Sequence, residues 1–313
     1  LSLSKLISSL QTQIIDTSLH VASNPPIVDQ TEELMNEITE KISSTLETLV
    51  VDLEEFLVTN DILNTLLVLM WEMKNLRELK IILKQADFTQ MQFQRLISGI
   101  QYIPLLTKLT VDLSCWKMAE FLDRKKSLLE MIAIIIPTLS KIKELEFFFD
   151  YLTLFDDTPS FAIFSSALTS LSKQLERLML SFRYCNINDP SLKAFSAELP
   201  KLTSLRFLRF NFTDCKELKQ DGVDSLATAI SGLTQLDDLW LTFNLCQGIQ
   251  DESFAAISRS LYSLDALKGL HILLNGCSIA ESGLFELGSS LTRLKGLQYL
   301  TLSFEIGRAS CRE

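Results

Sequence analysis

With 313 residues, 47% of them hydrophobic and 22% charged, the chain is long and apolar enough to bury a large core and is no disordered polymer. Its net charge of −10 argues against sequence-independent nucleic-acid binding, which needs a basic surface. No apolar run approaches the roughly 18 residues that span a bilayer.

Taken in chain order, residues 1–45 show weak apolar traces at Leu3, Leu6 and Leu10 and a loop at Ser23-Asn24-Pro25-Pro26. They are expected to form a partial or irregular repeat. From Leu46 onward the frame L-x-x-L-x-L-x-(L/F) recurs nine times, starting at Leu46, Leu76, Leu106, Ile142, Leu175, Leu205, Leu236, Leu267 and Leu297. The intervals are 30, 30, 36, 33, 30, 31, 31 and 30 residues. Apolar residues alternate with variable ones at the end of each frame, which predicts nine strands with one buried face. Between frames the period becomes helical, as in Gly222-x3-Leu226-x3-Ile230 and Gly283-x3-Leu287-x3-Leu291. Leu128–Ile136, interrupted by Glu130 and stopped by Pro137, reads as one such buried helix. Asp189, Asp221, Asp251 and Glu281 sit where acids cap or complement a helix N-terminus. Pro104, Pro137 and Pro200 mark helix ends before the chain returns to the sheet. Residues 46–304 are therefore expected to be one repeat domain. Glu305–Glu313 abandons the pattern and reads as a non-repeat, artefact-like tail, so that both ends look incomplete and the chain reads as a fragment.

The motif, the helix pattern and the period of about 30 resemble the ribonuclease-inhibitor-like branch of the leucine-rich repeat proteins, in a divergent, protist-type form. The resemblance implies an α/β fold, a right-handed horseshoe solenoid with parallel strands on the concave face and helices on the convex one. It also implies a cytoplasmic, non-catalytic scaffold that binds another protein on the concave face. The same branch includes regulators of the Ran GTPase and substrate-recognition parts of ubiquitin-ligase adaptors, which are the alternative functions.

Four of the six cysteines, Cys185, Cys215, Cys246 and Cys277, each lie ten residues after the start of their frame. They predict a column of buried thiols in the turn after the strand, where this family carries its Asn/Cys ladder. The C-x2-C spacing of a metal site is absent, as are P-loop, G-x-S-x-G and H-E-x-x-H motifs. Neither an enzyme nor a cofactor is expected, and neither nucleic acid nor membrane is expected as a partner. The chain carries one glycosylation sequon, Asn211-Phe212-Thr213, of a kind that arises by chance.

If the fourth, sixth and eighth frame residues point inward, the third, fifth, seventh and ninth face outward on the open side of the sheet. Arg209, Trp240 and His271 then occupy the fifth position of three successive strands. Phe207 and Tyr299 stand in the third column, Asn211 in the seventh and Asn244 in the ninth. Aromatic and arginine side chains on a solvent-facing sheet are the types enriched at binding hot spots, so these seven form the candidate partner site.

Overall fold

In a computed structural model of the chain, residues 18–21, 46–116, 127–153, 155, 157–277 and 279–304 are described. By internal contacts the chain divides into two compact units: Leu1–Lys126 with Pro137–Phe148, and Ser127–Ile136 with Phe149–Glu313. The division falls within the longest interval between frames, the 36 residues from Leu106 to Ile142, and again just before Phe149, the eighth residue of the frame that ends it.

The first unit contains β1 (Ser18–Val21), β2 (Thr48–Asp52), β3 (Glu78–Ile82), β4 (Lys108–Asp112) and β5 (Glu144–Phe148), paired in parallel and in chain order. Helices α1 (Asn60–Glu72) and α2 (Gln90–Ile100) follow β2 and β3. Thr89 starts α2 with a capping box, its hydroxyl accepting from Gln92 N while the Gln92 side chain accepts from Thr89 N. The fourth and sixth frame residues, from Leu49 and Val51 to Leu145 and Phe147, are almost wholly buried, as the alternation requires.

Nine strands were expected, and ten are found among the described residues. The extra one, β1, sets Leu19 beside Leu49 and Val21 beside Val51. Its frame escapes the motif because Asp16 and Ser23 occupy the first and eighth positions, where the other frames carry apolar residues. The traces at Leu3, Leu6 and Leu10 and the tail Glu305–Glu313 lie outside the described residues.

The second unit holds α3 (Leu128–Ile135), α4 (Thr158–Thr169), α5 (Asp189–Ser196), α6 (Gln220–Ser231), α7 (Asp251–Ser260) and α8 (Glu281–Leu291), each packed on the next. Its strands are β6 (Arg177–Ser181), β7 (Phe207–Asn211), β8 (Asp238–Thr242), β9 (Gly269–Leu273) and β10 (Tyr299–Ser303), again parallel and in chain order. Pro137 and Pro200 lie in short 3-10 turns at helix ends, where their missing N–H costs nothing.

Two columns run through this unit at right angles to the strands. At the eighth frame position Phe149, Phe182, Phe212 and Phe243 stack with centroids 5.2, 5.9 and 5.3 Å apart. Three residues on, each ladder cysteine reaches back one repeat. Cys185, Cys215, Cys246 and Cys277 place Sγ 3.1, 2.9, 2.9 and 3.0 Å from the carbonyl oxygens of those same four phenylalanines. A thiol is small enough for the turn and donates a second hydrogen bond to a buried carbonyl that also accepts the backbone amide three residues on. In both units the residue before this column, the tenth of the frame, adopts a positive φ, from Gln85 at 53° to Gly276 at 74°. Cys115 holds that tenth position at 56°, which is why it stands one place off the ladder.

The acids at the helix starts complement their own helices, and two of them do more. Asp189, Asp221, Asp251 and Glu281 lie inside the first turns of α5 to α8. Asp251 Oδ1 accepts from Ala280 N (2.9 Å) and Gly283 N (3.0 Å), and Asp189 Oδ1 from Lys219 N (2.7 Å). These two acids therefore bond backbone amides at the start of the next repeat's helix, where the dipole favours a negative charge.

Candidate functional site

The strands of the second unit bury one face beneath the helices and leave the other open. In β7 the fourth and sixth frame residues, Leu208 and Phe210, are buried, whereas Phe207, Arg209 and Asn211 are half-buried on the open face. The register sets Arg209 beside Trp240 and Trp240 beside His271, so the predicted fifth column is contiguous.

Contact within that column is close. The Arg209 guanidinium lies 4.8 Å from the Trp240 ring centroid, and the Trp240 and His271 rings stack with centroids 3.5 Å apart and planes 16° apart. His271 Nδ1 shares a 2.8 Å hydrogen bond with Thr301 Oγ1 on β10. Its other nitrogen, Nε2, is 3.8 Å from Asp238 Oδ1. Burial holds the His271 pKa below its ordinary 6.5; Asp238 opposes that shift and Arg209 reinforces it. The imidazole is accordingly neutral at pH 7.

Two polar atoms in this patch lack hydrogen-bond partners among the described residues. Trp240 Nε1 and Asp238 Oδ1 are shielded from solvent and make no hydrogen bond. An orphaned donor and an orphaned acceptor two residues apart on one strand carry an unrelieved desolvation cost. Room for the Asp238 side chain comes from Gly269, its neighbour on β9, where a Cβ would stand 2.9 Å from the carboxyl carbon.

The remaining predicted residues divide. Phe207 carries the Arg177 guanidinium over its ring at 3.9 Å, a second arginine–aromatic step beside the first. Tyr299 is 65% exposed, but its row reaches Phe207 only through Asp238 and Gly269, so the two aromatics do not form one apolar surface. Asn211 Oδ1 accepts from Thr213 N and Thr213 Oγ1, and Asn244 Oδ1 accepts from Asn275 N. Both amides thus brace turns through their oxygens. Phe212 is buried, which leaves the sequon at the end of a packed strand.

Sequence reading missed Asp238 and Thr301 as members of the patch. Asp238 could have been found, because it fills the third column between Phe207 and a glycine. Thr301 could have been added too, because it holds the fifth position of the frame after His271 and so lies beside it.

Among the described residues, no group of three or more His, Cys, Asp or Glu is placed to hold a metal ion, and no helix is long and apolar enough to cross a membrane. No protein-family model matches the sequence, and no curated protein matches it. Solved structures do match. A chain in the Rad7–Elc1 complex of yeast superposes with a TM-score of 0.50 and 15% identity, over 84% of this chain and 65% of that one. A chain in the TLR13–ssRNA13 complex gives 0.31 and 13%, over 84% and 40%. The chain thus spans less than two thirds of either. The fold is that of a leucine-rich repeat solenoid, with parallel strands alternating with helices in each unit.

Proposed function

We propose that the chain is a non-catalytic scaffold that binds another protein on the open face of the second unit. The observation that carries this reading is the stack Arg209–Trp240–His271. A large indole with a pre-stacked arginine on a solvent-facing sheet is the composition of an interaction hot spot, and its ordering entropy is already lost before binding. The absence of nucleophile–base motifs from the sequence accords with a binding role. So does the likeness to a chain solved in a Rad7–Elc1 complex, at the level of fold. The repeat length of about 30 and the cysteine ladder favour the ribonuclease-inhibitor-like branch, and buried thiols suit a reducing compartment such as the cytoplasm.

The test is quantitative affinity purification with the full chain as bait. A Trp240→Ala bait should lose a specific protein that wild type and an outer-helix variant, Phe285→Ala, both retain. Equal recovery by all three baits would overturn the open face as the binding site.

A further inference from the structure

We infer that the open-face patch recognises an acidic polypeptide segment, with a carboxylate of the partner seated against Arg209. This rests on the binding reading above and names the chemistry of its partner.

The case begins with charge. The whole chain carries −10, and two cations just before strands β7 and β9 are already paired. Asp237 pairs with both Arg206 at 3.1 Å and Lys268 at 2.9 Å. On the open face Arg183 lies 3.9 Å from Asp150. Arg209 differs: among the described residues no carboxylate stands within salt-bridge distance of it. Its contact is with the Trp240 ring, over which its guanidinium carbon lies 4.8 Å from the centroid. The N–H groups of a guanidinium match the two oxygens of one carboxylate.

Magnitudes separate an acidic polypeptide from a nucleic acid. Phosphate-backbone binding draws on several cationic contacts at once, roughly six to ten. One carboxylate needs a single well-placed arginine. The Trp240–His271 stack supplies an adjoining apolar floor for a neighbouring side chain of the segment. Asp238, on the strand beside Arg209, excludes a second acid from the next position by like-charge repulsion.

The experiment selects a randomised twelve-residue phage-displayed peptide library on the full wild-type chain. Enriched peptides are then titrated against wild type, Arg209→Gln, Arg209→Glu, Trp240→Ala and the outer-helix control Arg293→Gln. Melting curves confirm folding, and Arg209→Gln serves if Arg209→Glu does not fold. Acidic peptides are expected, binding at least tenfold more weakly to both Arg209 variants, unchanged on the control, and weakening with added salt. Changing the critical peptide acid to Lys should restore binding to Arg209→Glu.

Enriched peptides without an acid, lost on Trp240→Ala but indifferent to Arg209→Glu, would overturn the acidic segment and leave the scaffold reading standing. A library yielding nothing sensitive to either substitution would overturn both. A single-stranded poly-U oligonucleotide is titrated in parallel. Binding by it that Arg209→Glu abolishes would reassign the patch to nucleic acid.

Discussion

Asp251 opens α7, yet its carboxylate accepts the amide of Gly283, a full repeat later. A Cβ on Gly283 would stand 2.6 Å from Asp251 Oδ1 and 2.7 Å from Phe254 Cδ1. Replacing a helical glycine by alanine ordinarily gains about 1 kcal/mol. Here the overpacking costs about 1–3 kcal/mol and reverses the sign. Gly283→Ala should therefore lower the melting temperature, whereas Gly288→Ala in the same helix, with nothing within 4 Å, should raise it. Equal responses from the two variants would remove the close approach as the reason for glycine at position 283.

His271 gives a pH dependence whose sign follows from its surroundings. Burial between Trp240 and the sheet depresses its pKa below 6.5, so the unfolded chain binds this proton more readily than the folded one. The stabilising contribution is complete above the unfolded value and is lost as pH falls from 6.5 toward the folded value. An NMR titration should show one of the two histidines with a midpoint below 6.5, and His271→Gln should delete that resonance. A midpoint at or above 6.5 would mean that Asp238, at 3.8 Å, outweighs desolvation.

How much of this was legible in the sequence follows from what each feature depends on. The strands were, because burial of Leu208 and Phe210 on alternate residues forces a period of two. The neighbours Arg209, Trp240 and His271 were too, since a repeat of near-constant length brings equal frame positions side by side. β1 was not, because Asp16 breaks its frame. Nor was the bracing role of Asn211 and Asn244: an asparagine after a strand serves a partner or a turn equally well until the backbone path is known. The reach of Asp251 to the next helix depends on how adjacent repeats stack, which no single repeat encodes.

The ladder thiols predict a response to alkali. Burial pushes Cys215 and Cys246 far above the ordinary thiol range and Cys277 up to about 11. A raised folded value means stability that is full below the unfolded thiol pKa and lost as pH climbs through the folded one. Thermal stability should fall above pH 9, the ordinary thiol value, and Cys277→Ala should flatten the part of that fall before about pH 11. In the native protein at pH 8 a bulky thiol reagent should modify Cys215, Cys246 and Cys277 only on the timescale of unfolding. Fast modification of these three would show that the column opens without unfolding.

Leu239 and Trp240 are adjacent on β8 and point to opposite faces, so one pair of truncations separates packing from binding. Leu239 is fully buried, and Leu239→Ala should cost roughly 2–5 kcal/mol as a cavity in the core. Trp240 is half-buried, held by Arg209 at 4.8 Å and His271 at 3.5 Å between centroids. Its truncation removes those two stacking contacts, about 0.5–1.5 kcal/mol each, and also removes the unpartnered indole N–H and its desolvation cost. The loss of stability from Trp240→Ala should therefore be smaller than that from Leu239→Ala. Binding should move the other way. Trp240→Ala should weaken the partner or a selected peptide by about 2 kcal/mol or more, the scale of a hot spot. Leu239→Ala, measured well below its melting temperature, should leave affinity nearly unchanged. Melting and titration of the two variants settle the matter together: a Trp240→Ala protein that melts as early as Leu239→Ala, or binds as tightly as wild type, would make the stack a structural brace.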